Sequence, residues 1–205
     1  MNHIITISRA FGSAGAEIGE KLAARFGVKY YDKELLKRAS EESGMCHEIF
    51  ENHDEKPTNS FLYNLVMDTY SFGYGASPYV EMPISHKVFL AQFDAIKNIA
   101  KEGPCVIVGR CADYALSEFD NVLNVYIHAP LEKRIDRISK KYDLTKEKAR
   151  DMIIKKDKQR ANYYNYYSSK KWGKADTYHV CIDSSLLGIE GTVNALYSLI
   201  DSIEA

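Results

Sequence analysis

The chain has 205 residues, 45% of them hydrophobic, enough to bury the core of one sizeable domain. Its formal net charge of −1 supplies no overall field for nucleic acid or a membrane surface. No apolar run approaches the roughly 20 residues of a membrane span, and Met1 leads straight into a strand pattern without a signal peptide, so a soluble, cytoplasmic protein is the expectation.

Residues 4–7 open the chain as a buried strand, and the stretch ISRAFGSAGAEIGEKLA follows. Ile18, Leu22 and Phe26 recur every four residues and Gly27 closes the pattern, which predicts a helix. Residues 28–31 form a second β-branched and aromatic run, continued by YYDKELLKR. Residues 47–83 then hold three of the five prolines and the run SFGYGASPY, with no clean period. An insertion of this kind serves as a lid, a substrate arm or a subunit contact.

The rhythm resumes at residues 88–100, where Phe89, Phe93 and Ile96 share a side before Gly103-Pro104 breaks the helix. Residues 105–108 make a third strand ending in VIVGRCAD, and residues 122–128 a fourth, followed by a helix over 131–142. A charged helix starts at Thr145 and runs into ANYYNYYSSKKWG. A fifth strand over 178–182 and a helix over 189–203 close the chain. Consecutive rather than alternating apolar residues in these short runs mark strands buried on both faces, so the expected fold is α/β with a mostly parallel sheet. Three of the four cysteines lie in or beside apolar runs and read as buried, reduced thiols, with no spacing for a metal site. His128, at a strand end, reads as structural.

Four features point to anion chemistry. Small residues let successive backbone N–H groups turn toward a phosphate at the positive end of a helix; Gly12, Ser13, Ala14 and Gly15 supply such a backbone between strand and helix. Against the pattern G-x-x-x-x-G-K-[ST], Gly15 takes the second glycine position and Ala10 the first. Ala16 then stands where the lysine belongs and Glu17 where a Mg²⁺-binding hydroxyl often begins. A tight turn with no ligand is the competing reading, and Arg9 is a candidate for the missing charge.

Second, ligands of open parallel sheets sit beyond the carboxyl ends of the strands, where Arg9, Asp32 and Arg110 would converge. Arg110 can hold a phosphate bidentately, or pair with Asp113 or Asp32. Third, residues 133–174 are strongly basic while residues 41–55 are mostly acidic. Lys156 and Arg160, four apart, share a helix face, and Arg134, Arg137 and Arg150 are further candidates for a lid that closes over a transferring group. Fourth, the tyrosines of 163–167 and Trp172 fit core packing under that lid, or a homodimer contact, better than nucleic-acid stacking.

These segments, in this order, resemble the bacterial cytidylate kinases, and more closely the cytidylate kinase-like family of P-loop proteins. ITISRAFGSAGAEIGEKLA is similar to the family's modified phosphate loop, YYDKELLKR to a D-x-G-x-x-x-R segment, VIVGRCAD to G-R-D, KKDKQR to the lid motif ending in D-x-x-R, and VCIDSSLLGIEG to the last strand and its D-[ST]-[ST] turn. The resemblance implies a single P-loop domain over 1–205, a three-layer α/β/α fold with five parallel strands in the order 2-3-1-4-5, an acceptor-binding insertion at 41–85 and a lid at 143–175. It implies transfer of the γ-phosphoryl group of ATP, with Mg²⁺, to CMP, dCMP or a related small acceptor. In that reading Gly12–Gly15, with Ala16 and Glu17, cradle the donor. Asp32 lies near the base or sugar, Arg38 near the acceptor phosphate, Arg110 on the monophosphate, and Arg9 and Arg160 on the migrating group. The chain departs from the pattern at Ala16, where the closer family carries arginine, at Glu34, in place of the glycine, and at Asp113, three residues after Arg110 rather than next to it. A nucleotide- or anion-binding protein without turnover, acting as a sensor or regulatory subunit, is therefore the alternative.

Overall fold

The fold is described from a computed structural model covering residues 1–56 and 83–204. Strands β1 (Ile4–Arg9), β2 (Lys29–Tyr31), β3 (Cys105–Val108), β4 (Val122–His128) and β5 (Val180–Asp183) form one sheet in the order β2-β3-β1-β4-β5. Every neighbouring pair is parallel, with Ile5 opposite Val106 on one side of β1 and Leu123 on the other. The expected fold class and strand order are both present.

Helices cover both faces of the sheet. On one, α1 (Gly15–Phe26) and α8 (Ser184–Glu204) bury Ile18, Leu22, Val193, Leu196 and Ile200 against Ile5, Ile7, Val106, Val125 and Ile127. Gly19 permits that packing, since a Cβ there would lie 2.9 Å from Ile7 Cδ1. On the other face, α2 (Lys33–Ser43), α3 (His47–His53), α4 (Ile84–Glu102) and the short α5 (Ala112–Ala115) surround Ile4, Cys105 and Ile107 with Leu35, Leu36, Phe50, Ile96 and Ile99. Helix α4 begins four residues before the period read from the sequence, and α3 lies in the stretch where no period is visible. Residues 57–82, with most of the 41–85 insertion and the SFGYGASPY run, lie outside the described residues.

Two further helices, α6 (Leu131–Tyr142) and α7 (Lys146–Ser168), form a hairpin with its own small core of Ile135, Ile138, Ala149 and Ile153, against which Phe11 packs. Thr145 caps α7 by accepting the Lys148 N–H, as an N-cap threonine does. Three of the four tyrosines of α7 face inward: Tyr163, Tyr164 and Tyr167 are buried with Phe89 of α4 and Cys111, while Tyr166 is exposed. Cys105 and Cys111 are buried, but Cys181 is exposed, because β5 is an edge strand with one neighbour. Among the described residues, no helix is long and apolar enough to cross a membrane.

Candidate active site

At the carboxyl edge of β1 the chain bends through Ala10–Ala14 into α1. Gly12 (φ 85°) and Ala14 (φ 63°) adopt left-handed backbone. A Cβ on Gly12 would lie 3.0 Å from Ile138 Cγ1 and 3.1 Å from Arg134 Cβ, so the loop can lie against α6 only as glycine. Ser13 is fully buried; its Oγ donates to the Ile127 carbonyl at 3.0 Å, and its own carbonyl accepts Ser184 Oγ at 2.7 Å. Its hydroxyl is thus structural, and its N–H donates to the Ala10 carbonyl at 3.2 Å within the bend. The α6–α7 hairpin grips the same loop. Asp157 accepts the Phe11 N–H at 2.7 Å and Arg134 Nη1 at 2.5 Å, while Arg134 and Arg137 donate to the Phe11 and Gly12 carbonyls at 3.2 and 3.1 Å. Gly15, Ala16 and Glu17 then open α1, where the first N–H groups have no intrahelical acceptor.

Beside the loop lies a cluster of three arginines and three carboxylates. Arg9 Nη1 donates to Glu55 Oε1 at 2.6 Å, and Arg160 Nε donates to Glu55 Oε2 at 3.0 Å. Arg110 is held by Asp54 in a bidentate pair, both bonds at 2.9 Å, and by Asp32 at 3.0 Å. Its backbone explains this aim: Gly109, Arg110 and Cys111 have φ of 78°, 53° and 55°, a left-handed turn that folds the guanidinium back onto the Val108 carbonyl at 3.1 Å. Left-handed backbone costs a side-chain-bearing residue about 1–2 kcal/mol, so these contacts must over-determine it. Burial alone would push the Glu55 carboxyl up, but the Arg9, Arg160 and Arg110 guanidiniums together hold it well below the usual carboxylate range. Burial and the nearby Arg9 charge lower the pKa of Arg160, while burial of Arg110 is outweighed by Asp54, Asp32 and Glu55, which raise it. The cluster is balanced, three positive against three negative.

These groups border an open cleft of about 660 Å³, whose wall runs from the loop and the first turn of α1, past Asp32 and α3, to the α6–α7 hairpin. Arg9, Gly12, Ala14, Gly15, Ala16, Glu17, Asp32, Arg110 and Arg160 line it. Lys33, Arg137, Lys141 and Lys156 line it as well, and among the described residues none of these four has a carboxylate partner. Three expectations are corrected by these positions. Arg38 is not brought to the cleft: it lies about 140° around α2 from Lys33, at about 100° per residue, and pairs with Glu42 and Glu102 outside. Arg9 does not simply supply the charge missing at Ala16, because that charge is met by Glu55. Asp113 does not pair with Arg110; it is buried and accepts Tyr164 Oη at 2.5 Å. The sequence reading also missed Asp54 and Glu55. Their only signal was the acidic block at 41–55 and the separate basic block at 133–174.

A parallel sheet of order 2-3-1-4-5, a glycine-bearing bend from its central strand into a helix, and a helical hairpin packed on that bend define a P-loop kinase fold. Solved structures agree. An uncharacterized protein from Eubacterium ventriosum matches with a TM-score of 0.72 and 26% identity over 98% of this chain and 99% of its own. Shikimate kinase from Bacteroides thetaiotaomicron matches in fold, with a TM-score of 0.56 and 13% identity over 97% and 98% of the two chains. The model of the cytidylate kinase-like family matches residues 4–186, and the chain belongs to that family. Curated relatives include the cytidylate kinases of Pyrococcus horikoshii, 25% identical over 98% of this chain and 90% of theirs, and Methanopyrus kandleri, 24% identical over 98% and 94%.

Proposed function

We propose that the protein is an ATP-dependent phosphotransferase whose acceptor is CMP, dCMP or a related small molecule. One observation carries this reading: the glycine-bearing loop and the lid residues Lys156 and Arg160 line the same cleft at the carboxyl edge of the sheet. The loop fits a polyphosphate, since the small residues Gly12, Ala14, Gly15 and Ala16 line the cleft where α1 begins. Bound ATP with Mg²⁺ supplies the phosphoryl group and the metal's charge. Glu17, in the first turn of α1 and in the cleft, fits a Mg²⁺ ion that keeps most of its waters and rides on the phosphates.

The backbone of Gly12–Gly15 cradles the donor phosphates at the positive end of α1. Arg137 and Lys156, without carboxylate partners among the described residues, replace the charge lost at Ala16. Arg160 clamps the transferring group from the lid, where fixed positive charge acts with little reorganisation. Asp32 and Arg110 form the acceptor wall.

Ala16 supports a second reading, nucleotide binding without turnover, because losing one contact made in the transition state costs about 10²–10³ in rate. A coupled assay with ATP, Mg²⁺ and a panel of nucleoside monophosphates separates the two. Turnover of CMP or dCMP that falls at least about a hundredfold in Arg160→Gln supports the phosphotransferase. ATP-dependent thermal stabilisation with no turnover of any acceptor supports the binding protein.

A further inference from the structure

Glu55 belongs to no strand and no lid helix, yet it touches the end of β1, the turn after β3 and the middle of α7. Its Oε1 accepts Arg9 Nη1 at 2.6 Å and the Arg110 backbone N–H at 3.4 Å, and its Oε2 accepts Arg160 Nε at 3.0 Å. Arg160 Nη1 in turn donates to the Arg9 carbonyl at 3.2 Å, and Gln159, its neighbour on α7, donates to the Glu55 carbonyl at 3.2 Å. Two glycines make this possible. A Cβ on Gly15 would lie 2.5 Å from Arg9 Cβ, and one on Gly109 would lie 2.1 Å from Arg9 Nη1 and 2.4 Å from Glu55 Oε1.

The two guanidiniums repel each other across a small buried volume, and only the carboxylate between them lets both stay charged there. Glu55 and Arg9 line the cleft, yet their side chains are only 9% (Arg9) and 11% (Glu55) exposed, and both Glu55 oxygens are taken by the two guanidiniums. We infer that Glu55 is a positioning residue: it locks Arg9 of the loop and Arg160 of the lid into one unit, presenting the remaining donors of Arg160 to the transferring phosphoryl group. This rests on the phosphotransferase reading of the cleft. Glu55 itself does not touch substrate.

The test is a double-mutant cycle between Glu55→Gln and Arg160→Gln, read on kcat and KM for the acceptor that the panel identifies. Glu55→Gln is expected to lower kcat about a hundredfold, the scale of one misplaced transition-state donor, and to change KM for ATP less than about threefold, because loop and helix still hold the ground state. The double variant is expected to be no slower than Arg160→Gln alone. Losses that multiply, or a kcat within about threefold of the parent, overturn the proposal. So does tighter ATP binding in Glu55→Gln, which would make the carboxylate a displaceable plug. If the parent turns over no acceptor, the phosphotransferase reading fails by itself. Hydrogen exchange of residues 153–163 then decides the positioning claim: exchange about tenfold faster there in Glu55→Gln, with β4 unchanged, supports it, and equal exchange overturns it. Should Glu55→Gln not fold, Glu55→Asp, with the charge drawn back by one methylene, is read in the same two ways.

Discussion

A methyl group on Gly109 would meet Arg9 Nη1 at 2.1 Å and Glu55 Oε1 at 2.4 Å, in a backbone with φ 78°. One on Gly27, at φ 66°, would meet nothing within 4 Å. The two positions separate conformational strain from crowding. Gly27→Ala is expected to cost only the left-handed backbone, about 1–2 kcal/mol, whereas Gly109→Ala adds an overpacking term of about 1–3 kcal/mol. Urea unfolding of both variants measures the difference; equal costs would mean that the Arg9–Glu55 pair yields easily. Arg38 shows why residue type and spacing alone mislead. Its distance from Asp32 suggests a shared site, but once α2 starts at Lys33, helical phase turns it outward to Glu42 and Glu102. Glu55 was illegible for a different reason. Its partners stand 46, 55 and 105 residues away, and no local pattern records a contact at such separations.

The strands and most helices were legible because their signals are local: runs buried on both faces, four-residue spacing, and glycine stops. Helix α7 shows where that reading thins out. Its first half packs on α6 through Ala149 and Ile153, while its second half turns Tyr163, Tyr164 and Tyr167 against α4 and the turn after β3. The second half is anchored by Tyr164 Oη on Asp113 at 2.5 Å. Burial raises the Asp113 carboxyl above its ordinary range, and the tyrosine donor opposes that rise. The folded chain therefore holds this proton to higher pH than the unfolded chain, and the penalty of ionising Asp113 grows as pH rises above about 4. Tyr164→Phe removes the donor that eases this penalty. Its cost is expected to be small near pH 4.5 and to reach about 1–3 kcal/mol at pH 7.5. Unfolding curves at the two pH values measure it, and equal costs would show that Tyr164 acts only through packing.

Across the whole molecule, the sheet is closed from the middle outward. β1 lies between β3 and β4, and β2 bonds only to β3. A fragment of residues 1–104 contains two strands and not one of their hydrogen-bonding partners. It is expected to show no cooperative unfolding transition, whereas the full chain should unfold in one step; a sigmoidal melt of the fragment by circular dichroism would contradict this topology.

The same order bears on how the protein is made. Ala10 donates its N–H to the Ile127 carbonyl, Ser13 Oγ donates to that same oxygen, and Ser184 Oγ donates to the Ser13 carbonyl. At a synthesis rate of about 5–20 residues per second, the ribosome completes the loop's own sequence in its first seconds. It delivers Ile127 only on the order of ten seconds later, and Ser184 later still. The motif translated first is thus among the last to take shape, and an incomplete nascent chain carries its letters without its cradle.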